Sequence, residues 1–280
     1  MRFSLGCELA YTVTAPTTLI LNIEPMRTPQ QTIYTEQLTL WPQMQSEAHH
    51  AAESSNLYRR LRLQLGEFSL RYQAELETSP RSYAPDGIDE VPVAELPLEV
   101  LPYLYPSRYC ESDKLARFAW KQFGIFAPGH GRVTAICNWI FENVEYLAGI
   151  SQSETSAHDT FVQRAGVCRD FAHLGVSFCR ALGIPARFVS AYAWQLQPQD
   201  FHAVFEAYLG GRWYLFDATR LVPADGIIRI GIGRDAADTA FVTFYGQVQS
   251  LPKTVWVERL DSAADPTKDW TTEAISIAAV

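Results

Sequence analysis

Two adjacent glycines, Gly210 and Gly211, lie between two runs rich in β-branched and aromatic residues, 202–208 and 213–219. A glycine pair in this setting is a strong signal for a two-residue β-hairpin turn. If the glycines form the loop, the register of both strands is fixed and alternate side chains project from the same side. The hairpin predicts an antiparallel sheet in the second part of the chain.

This register brings two polar side chains of the hairpin together. His202 and Asp217 become diagonal neighbours, about 7–8 Å apart at the backbone, a distance that an imidazole and a carboxylate can bridge. The carboxylate would fix the tautomer and orientation of the ring and leave its other nitrogen for a thiol. Alternatively, each is an ordinary polar residue of a strand. A slip of one residue would place them on opposite faces.

A cysteine precedes the hairpin in the chain. Residues 168–182 carry apolar side chains at helical spacing, and a Gly-Ile-Pro sequence follows at 183–185 as a stop signal. Cys168 would then lie in the first helical turn, where unpaired N–H groups and the helix dipole favour the reactive thiolate. Gly166 allows a tight approach of the incoming backbone. The alternative is a buried structural cysteine, the usual environment of this residue.

The segment of residues 138–222 resembles the transglutaminase-like superfamily, a papain-related group with Cys, His and Asp in that order. The resemblance rests on separated motifs that agree in residue, order and local structure: residues 166–172 (GVCRDFA), 183–187 (GIPAR), 202–203 (HA) and 216–219 (FDAT). It implies that Cys168 is the nucleophile, that His202 is the general base and acid, and that Asp217 orients His202.

Two positions depart from the commonest family pattern. Val204 stands where a Trp usually follows His-Ala, and Ala218 stands where Asp-Pro-Thr is usual. Neither belongs to the three catalytic positions, but the missing Trp leaves the shape of the substrate groove open.

The chemistry implied is acyl transfer through a thioester. Water as the second nucleophile gives a peptidase or amidase, and an amine gives transamidation. An oxyanion hole is needed, with the backbone N–H of Cys168 as its first donor. Gln163, Trp139 and Tyr146 each have a suitable second donor, and the sequence does not rank them. We favour hydrolysis, because neither a calcium-loop pattern nor a secretion signal is present.

Two further hypotheses stay open. The chain could be a binding or assembly module that keeps the fold without using the three residues, since a fold does not guarantee activity. It could also be a metal enzyme with Cys168, His173 and His202 as ligands, although no closely spaced ligand pair is present. We expect no cofactor. The adjacent His49 and His50 are interpreted as solvated residues of a polar loop.

Composition limits the partners and the compartment. Lys and Arg number 23 against 31 Asp and Glu, a net charge of −8, and there is no basic run, so nucleic acid and anionic membranes are poor partners. We expect a peptide or another amide as substrate. Five cysteines at irregular spacing are typical of free thiols in a reducing compartment. No apolar stretch approaches the roughly 18–20 residues of a membrane span, and no signal segment precedes Cys7, so we expect a cytoplasmic protein.

The fold class predicted is α+β, with a sandwich-like β domain over residues 1–105, a catalytic domain over 106–260 and a polar tail over 261–280. Strands are expected throughout the first part, including a hairpin of residues 58–65 and 68–76. This order resembles bacterial transglutaminase-like proteins with an N-terminal β domain, through which a protein partner could bind. Helices are then expected over three segments, residues 112–123, 132–147 and 156–164, and strands over residues 187–194, 202–208, 213–219, 241–247 and 254–259.

Overall fold

Strands form the first part of the chain, as its alternating apolar residues predict. The structure is a computed structural model that describes residues 1–261 and 272–278. Its first strands are β1 (Arg2–Val13), β2 (Thr17–Leu21), β3 (Gln31–Trp41), β4 (Glu47–His50), β5 (Leu57–Leu63), β6 (Gly66–Thr78) and β7 (Arg81–Tyr83).

Helices come next, and strands follow them. In chain order the elements are α1 (Ser112–Phe123), α2 (His130–Asn143), β8 (Glu145–Tyr146), α3 (Ala157–Gln163), β9 (Ala165–Gly166), α4 (Cys168–Ala181), β10 (Ala186–Ala193), β11 (His202–Leu209), β12 (Arg212–Phe216), β13 (Ile227–Gly233), β14 (Val242–Tyr245), β15 (Val248–Ser250), β16 (Thr254–Arg259) and β17 (Ala274–Ser276). The antiparallel sheet has the strand order β12-β11-β10-β13, and α4 packs on it. The predicted α+β class is confirmed.

Two sheets pack face to face in the β domain. One has the order β15-β1-β6-β3, with β16 also beside β1, and the other has the order β14-β2-β5-β4. Apolar residues from both sheets share one core, for example Leu5 and Leu70 from the first and Leu19 and Leu61 from the second. This is the sandwich expected from the sequence.

The hairpin predicted for residues 58–65 and 68–76 is wrong. β5 pairs with β2 and β4, whereas β6 pairs with β1 and β3. The chain therefore passes from one sheet to the other at Gly66, whose φ is 121°. Alternating apolar residues show which face of a strand is buried and not which strand lies beside it. A hairpin and a corner between two sheets thus give the same pattern.

The last strands return to the β domain. β15 and β16 pair with β1, and β14 pairs with β2. The sequence placed residues 106–260 in one catalytic domain, but the backbone hydrogen bonds of its last strands join them to the sheets of residues 1–105. A strand's own residues carry no signal for so distant a partner.

The predicted polar tail over residues 261–280 lies partly outside the described residues, at 262–271 and 279–280. Within the described part, β17 pairs with β7, and its Ala274 and Ile275 are buried. This part of the tail therefore belongs to the fold and contributes buried apolar side chains, in contrast to the polar tail expected.

The contact between α4 and β11 positions the start of α4. Gly175 of α4 allows this contact, since a Cβ there would lie 2.4 Å from the Phe205 ring of β11.

The helix predicted over residues 132–147 ends earlier, at Asn143, because Val144 is extended and β8 pairs in parallel with β9. This short pair brings Tyr146 beside Gly166, close to the first residue of α4.

No helix in the residues that the structure describes is long and apolar enough to cross a membrane.

Candidate active site

Cys168 is the first residue of α4, as the sequence predicts. All five cysteines are free thiols, and Cys168 alone among them is partly exposed. Burial raises the pKa of the other thiols, for example to about 12 at Cys110. A thiol at the N-terminal end of a helix faces unpaired N–H groups that favour its charged form. Cys168 is therefore the thiol best placed to react.

Asp170 holds the backbone that leads into α4. Its carboxylate is buried, accepts a hydrogen bond from the Val167 N–H at 2.9 Å, and also accepts one from the Ser151 hydroxyl. Gly166 leaves room for this carboxylate, since a Cβ at that position would lie 2.7 Å from the Asp170 Cβ. Asp170 thus acts at the N-terminal end of α4.

The hairpin has the register that the two glycines predict. Leu209 pairs with Arg212 and Phe205 pairs with Phe216. His202 and Asp217 consequently meet, and Nε2 of His202 lies 2.8 Å from Oδ2 of Asp217. His202 is fully buried. Because a carboxylate can only accept, Nε2 carries the proton of this bond.

The Cys168 thiol interacts with the same imidazole ring. Burial alone would lower the pKa of His202, but the Asp217 carboxylate and the Cys168 thiol outweigh burial and raise this pKa to about 10. The second ring nitrogen, Nδ1, is buried and makes no hydrogen bond of standard geometry. It therefore remains available to the thiol, and such bonds are often long before substrate binds.

Tyr146 is the candidate oxyanion donor that the structure places at the thiol. Burial, the Cys168 charge and a hydrogen bond with Cys168 raise the pKa of the Tyr146 hydroxyl, which keeps its proton at neutral pH. Trp139 instead packs among aromatic rings, with its centroid 5.0 Å from that of Phe118. Gln163 is exposed at the end of α3. The structure therefore ranks three candidates that the sequence left equal.

The histidines outside the hairpin have other environments. Nε2 of the buried His173 accepts the Ala236 N–H at 3.1 Å, and its ring stacks on Tyr109. His49 and His50 are exposed but lie on β4, not in the expected loop. Over residues 1–261 and 272–278, no three His, Cys, Asp or Glu side chains are grouped so that they could hold a metal ion. The ligand set considered from the sequence, Cys168 with two histidines, is therefore not assembled.

Two polar residues near the site have roles that the sequence reasoning missed. Thr219 donates to Oδ1 of Asp217 from both its N–H, at 2.8 Å, and its hydroxyl, at 2.7 Å. A hydroxyl two residues after an Asp is a local signal that could have found it. The negative charge of the Asp200 carboxylate helps to raise the pKa of the Tyr146 hydroxyl. The same carboxylate pairs with Nζ of Lys253 at 2.7 Å. Asp200 lies in a loop, and no local pattern indicates it.

The chain is similar to known proteins over both of its parts. Residues 1–99 match the family model of the bacterial transglutaminase N-terminal domain, and residues 126–218 match that of the transglutaminase-like superfamily. A crystal structure of a protein from Cytophaga hutchinsonii, described as a "Putative Cysteine Protease", is 42% identical with a TM-score of 0.95. That alignment covers 99% of this chain and 98% of the other.

A curated protein is similar to a smaller part of this chain. An uncharacterized protein of Mycobacterium leprae is 35% identical over an alignment of 120 residues, and this alignment covers 39% of this chain and 42% of that protein. The two family matches and the full-length similarity agree with the fold and with the residues gathered at the start of α4. The chain therefore belongs to the transglutaminase-like superfamily, in the bacterial form that carries a β domain before the catalytic core.

Proposed function

We propose that the protein is a cysteine-dependent acyl-transfer enzyme that hydrolyses an amide or peptide bond. The observation that carries this proposal is the contact of His202 with two partners. Asp217 binds Nε2 at 2.8 Å, and the Cys168 thiol interacts with the same ring. A thiol, an imidazole and an orienting carboxylate in this order are the components of nucleophilic catalysis by cysteine.

The reaction has two steps. The Cys168 thiol gives its proton to His202, and the sulfur attacks the carbonyl carbon. The C–N bond breaks and the His202 imidazolium passes that proton to the leaving amine, which leaves a thioester. His202 then takes a proton from water, whose oxygen attacks the thioester carbon and releases the acid and the thiol. Asp217 stays ionised and holds the ring in both steps.

Both steps create an oxyanion that needs hydrogen-bond donors. We propose the backbone N–H of Cys168 and the hydroxyl of Tyr146 for this role. The support is the position of Tyr146 beside Gly166, close to Cys168, together with the raised pKa of the Tyr146 hydroxyl. A donor of this kind typically contributes about 2.7–4 kcal/mol to the transition state.

We also propose a cytoplasmic location and a peptide or amide substrate, with the β domain as a surface for a protein partner. Free thiols at all five cysteines support a reducing compartment.

Transamidation needs an amine to replace water at the thioester. Mass spectrometry of products formed with and without added cadaverine separates the two reactions.

The first test is alkylation by iodoacetamide, followed residue by residue with mass spectrometry. We expect Cys168 to react much faster than the buried Cys137 and Cys179, and His202→Ala to slow Cys168 at neutral pH. His49→Ala, an exposed histidine on β4, is the matched control and should change nothing.

Equal rates at Cys168 and Cys137, with no effect of His202→Ala, would contradict an assembled site. A non-catalytic binding module would then explain the fold better.

A further inference from the structure

Two buried arginines share one buried glutamate beneath the catalytic sheet. Glu206 is fully buried and accepts from Nε of Arg187 at 2.6 Å and from Nη2 of Arg229. The side chains of Arg187 and Arg229 are only 9% and 3% exposed. Two cations against one carboxylate leave a single positive charge without a partner carboxylate among residues 1–261 and 272–278. A buried charge without a partner is costly, so its retention calls for an anion.

These arginines face an open cavity of about 440 Å³. Arg27, Arg187, Arg212 and Arg229 line it together with one carboxylate, that of Glu99, and Arg27 also pairs with Glu36 outside the lining. Nε of Arg229 is buried and has no hydrogen-bond partner within the part of the chain that the structure describes. The chain as a whole has a net charge of −8, so this concentration of positive charge is local.

The cavity has fixed walls. Its floor includes Arg229 of β13, whose carbonyl accepts from the N–H of Met26 at 2.9 Å and from Nε2 of Gln31 at 2.8 Å. On another side, the Trp213 ring lies 4.1 Å from the Arg187 guanidinium and limits its movement. The site therefore lies where the β domain meets the catalytic sheet, and its cations are held in place before any ligand binds.

We propose that this cavity binds the oxyanion group of a small molecule, a carboxylate or a phosphate, between Arg187 and Arg229. Guanidinium groups match both anions with paired, charge-assisted hydrogen bonds. The anion supplies the missing negative charge and accepts hydrogen bonds from the guanidinium groups that line the cavity. This inference does not depend on the proposed function, because the cavity contains none of the residues assigned to catalysis.

Thermal unfolding of the full chain tests the site. We expect inorganic phosphate, benzoate or both to raise Tm by about 2 °C or more in a saturable way, with NaCl keeping the ionic strength constant. Arg229→Gln should abolish this shift. Without anion it should unfold at the same temperature as the wild type or higher, because it removes the unpaired charge. Arg71→Gln, an exposed arginine paired with Glu8, should keep the shift.

The probe that raises Tm identifies the source of the oxyanion group. A shift with phosphate alone indicates a phosphorylated ligand, and a shift with benzoate alone indicates a carboxylate. No shift with either probe, or an equal shift in Arg229→Gln, overturns the proposal. If Arg229→Gln does not fold, Arg27→Gln at the exposed mouth of the cavity replaces it, with Arg62→Gln as control. Arg27→Gln should then raise the half-saturating anion concentration several-fold, and an unchanged value overturns the proposal.

Discussion

Asp217 divides its carboxylate between two partners. Oδ2 binds Nε2 of His202, while Oδ1 accepts both the N–H and the hydroxyl of Thr219. Two donors on one oxygen fix the plane of the carboxylate, and the plane fixes the direction of the imidazole. Thr219 is thus a positioning residue that acts on the thiol through two other side chains.

Thr219→Val should slow alkylation of Cys168 about 5-fold, because one hydrogen bond to a charged group, worth about 1 kcal/mol or more, is lost. The backbone N–H still donates, so the loss should stay below that of His202→Ala. Thr219→Ser keeps the hydroxyl and should restore the rate. Equal rates in Thr219→Val and the wild type would show that the backbone N–H suffices.

Tyr146→Phe should lower the rate of amide hydrolysis by about 100-fold, because one oxyanion donor is removed. Alkylation of Cys168 creates no oxyanion, so its rate should change by much less than the rate of hydrolysis. Tyr34→Phe, on exposed β3, is the control. A parallel fall in both rates would mean that Tyr146 acts on the thiol and not on the oxyanion.

The protonation of His202 should make stability depend on pH. The pKa of His202 is about 10 in the fold against about 6.5 when unfolded. A raised pKa stabilises the fold fully below about pH 6.5, and this contribution is lost as pH rises to about 10. The urea midpoint of the wild type minus that of His202→Gln should therefore fall between about pH 6 and 10. A constant difference would contradict the raised pKa.

At the scale of elements, local sequence patterns predict where α3 begins and how β11 and β12 pair. They do not predict the partners of strands that are distant in the sequence. Ser156 predicts the start of α3, and the structure shows a capping box between Ser156 and Asp159. The glycine pair fixes the register of β11 and β12, and hence the meeting of His202 with Asp217. The sheets to which β5 and β14–β16 belong depend on contacts with distant residues, which no local pattern encodes.

The loop before β11 depends on elements from the far end of the chain. Phe201 stacks on Phe241 with centroids 4.1 Å apart, and Nε2 of Gln199 donates to the Val257 carbonyl at 3.4 Å. Asp200 pairs with Lys253 in the same region. His202 follows this loop directly, so the β domain and the strands that complete it hold one side of the site.

Phe241→Ala should therefore slow alkylation of Cys168 as well as lower Tm, because the Phe201 stack that fixes the loop is lost. Phe244→Ala is the matched control, since this ring packs on Tyr11 inside the sandwich at 4.9 Å. It should lower Tm without changing the alkylation rate measured well below Tm. The same loss of rate in both variants would show a general effect of stability.

At the scale of the whole molecule, the two parts form one interdependent unit. A chain ending at Ala240 keeps Cys168, His202 and Asp217 but lacks β14–β17. β1 would then present an unpaired edge with apolar side chains, which favours aggregation. We expect this truncated chain to be aggregated by size-exclusion chromatography and unreactive at Cys168. A monomeric, reactive product would show that the catalytic core folds alone.

The pairing of β1 with β15 and β16 also affects how the chain folds during translation. β1 is translated before the strands that cover its open edge, which follow more than 230 residues later. At about 5–20 residues per second, that edge waits on the order of 10–50 seconds for its partners. An unpaired edge favours aggregation, so we expect the nascent chain to bind a chaperone until β15 and β16 are translated. Cys168, His202 and Asp217 are all translated before these strands, so the candidate site is completed only after β15 and β16 have paired with β1.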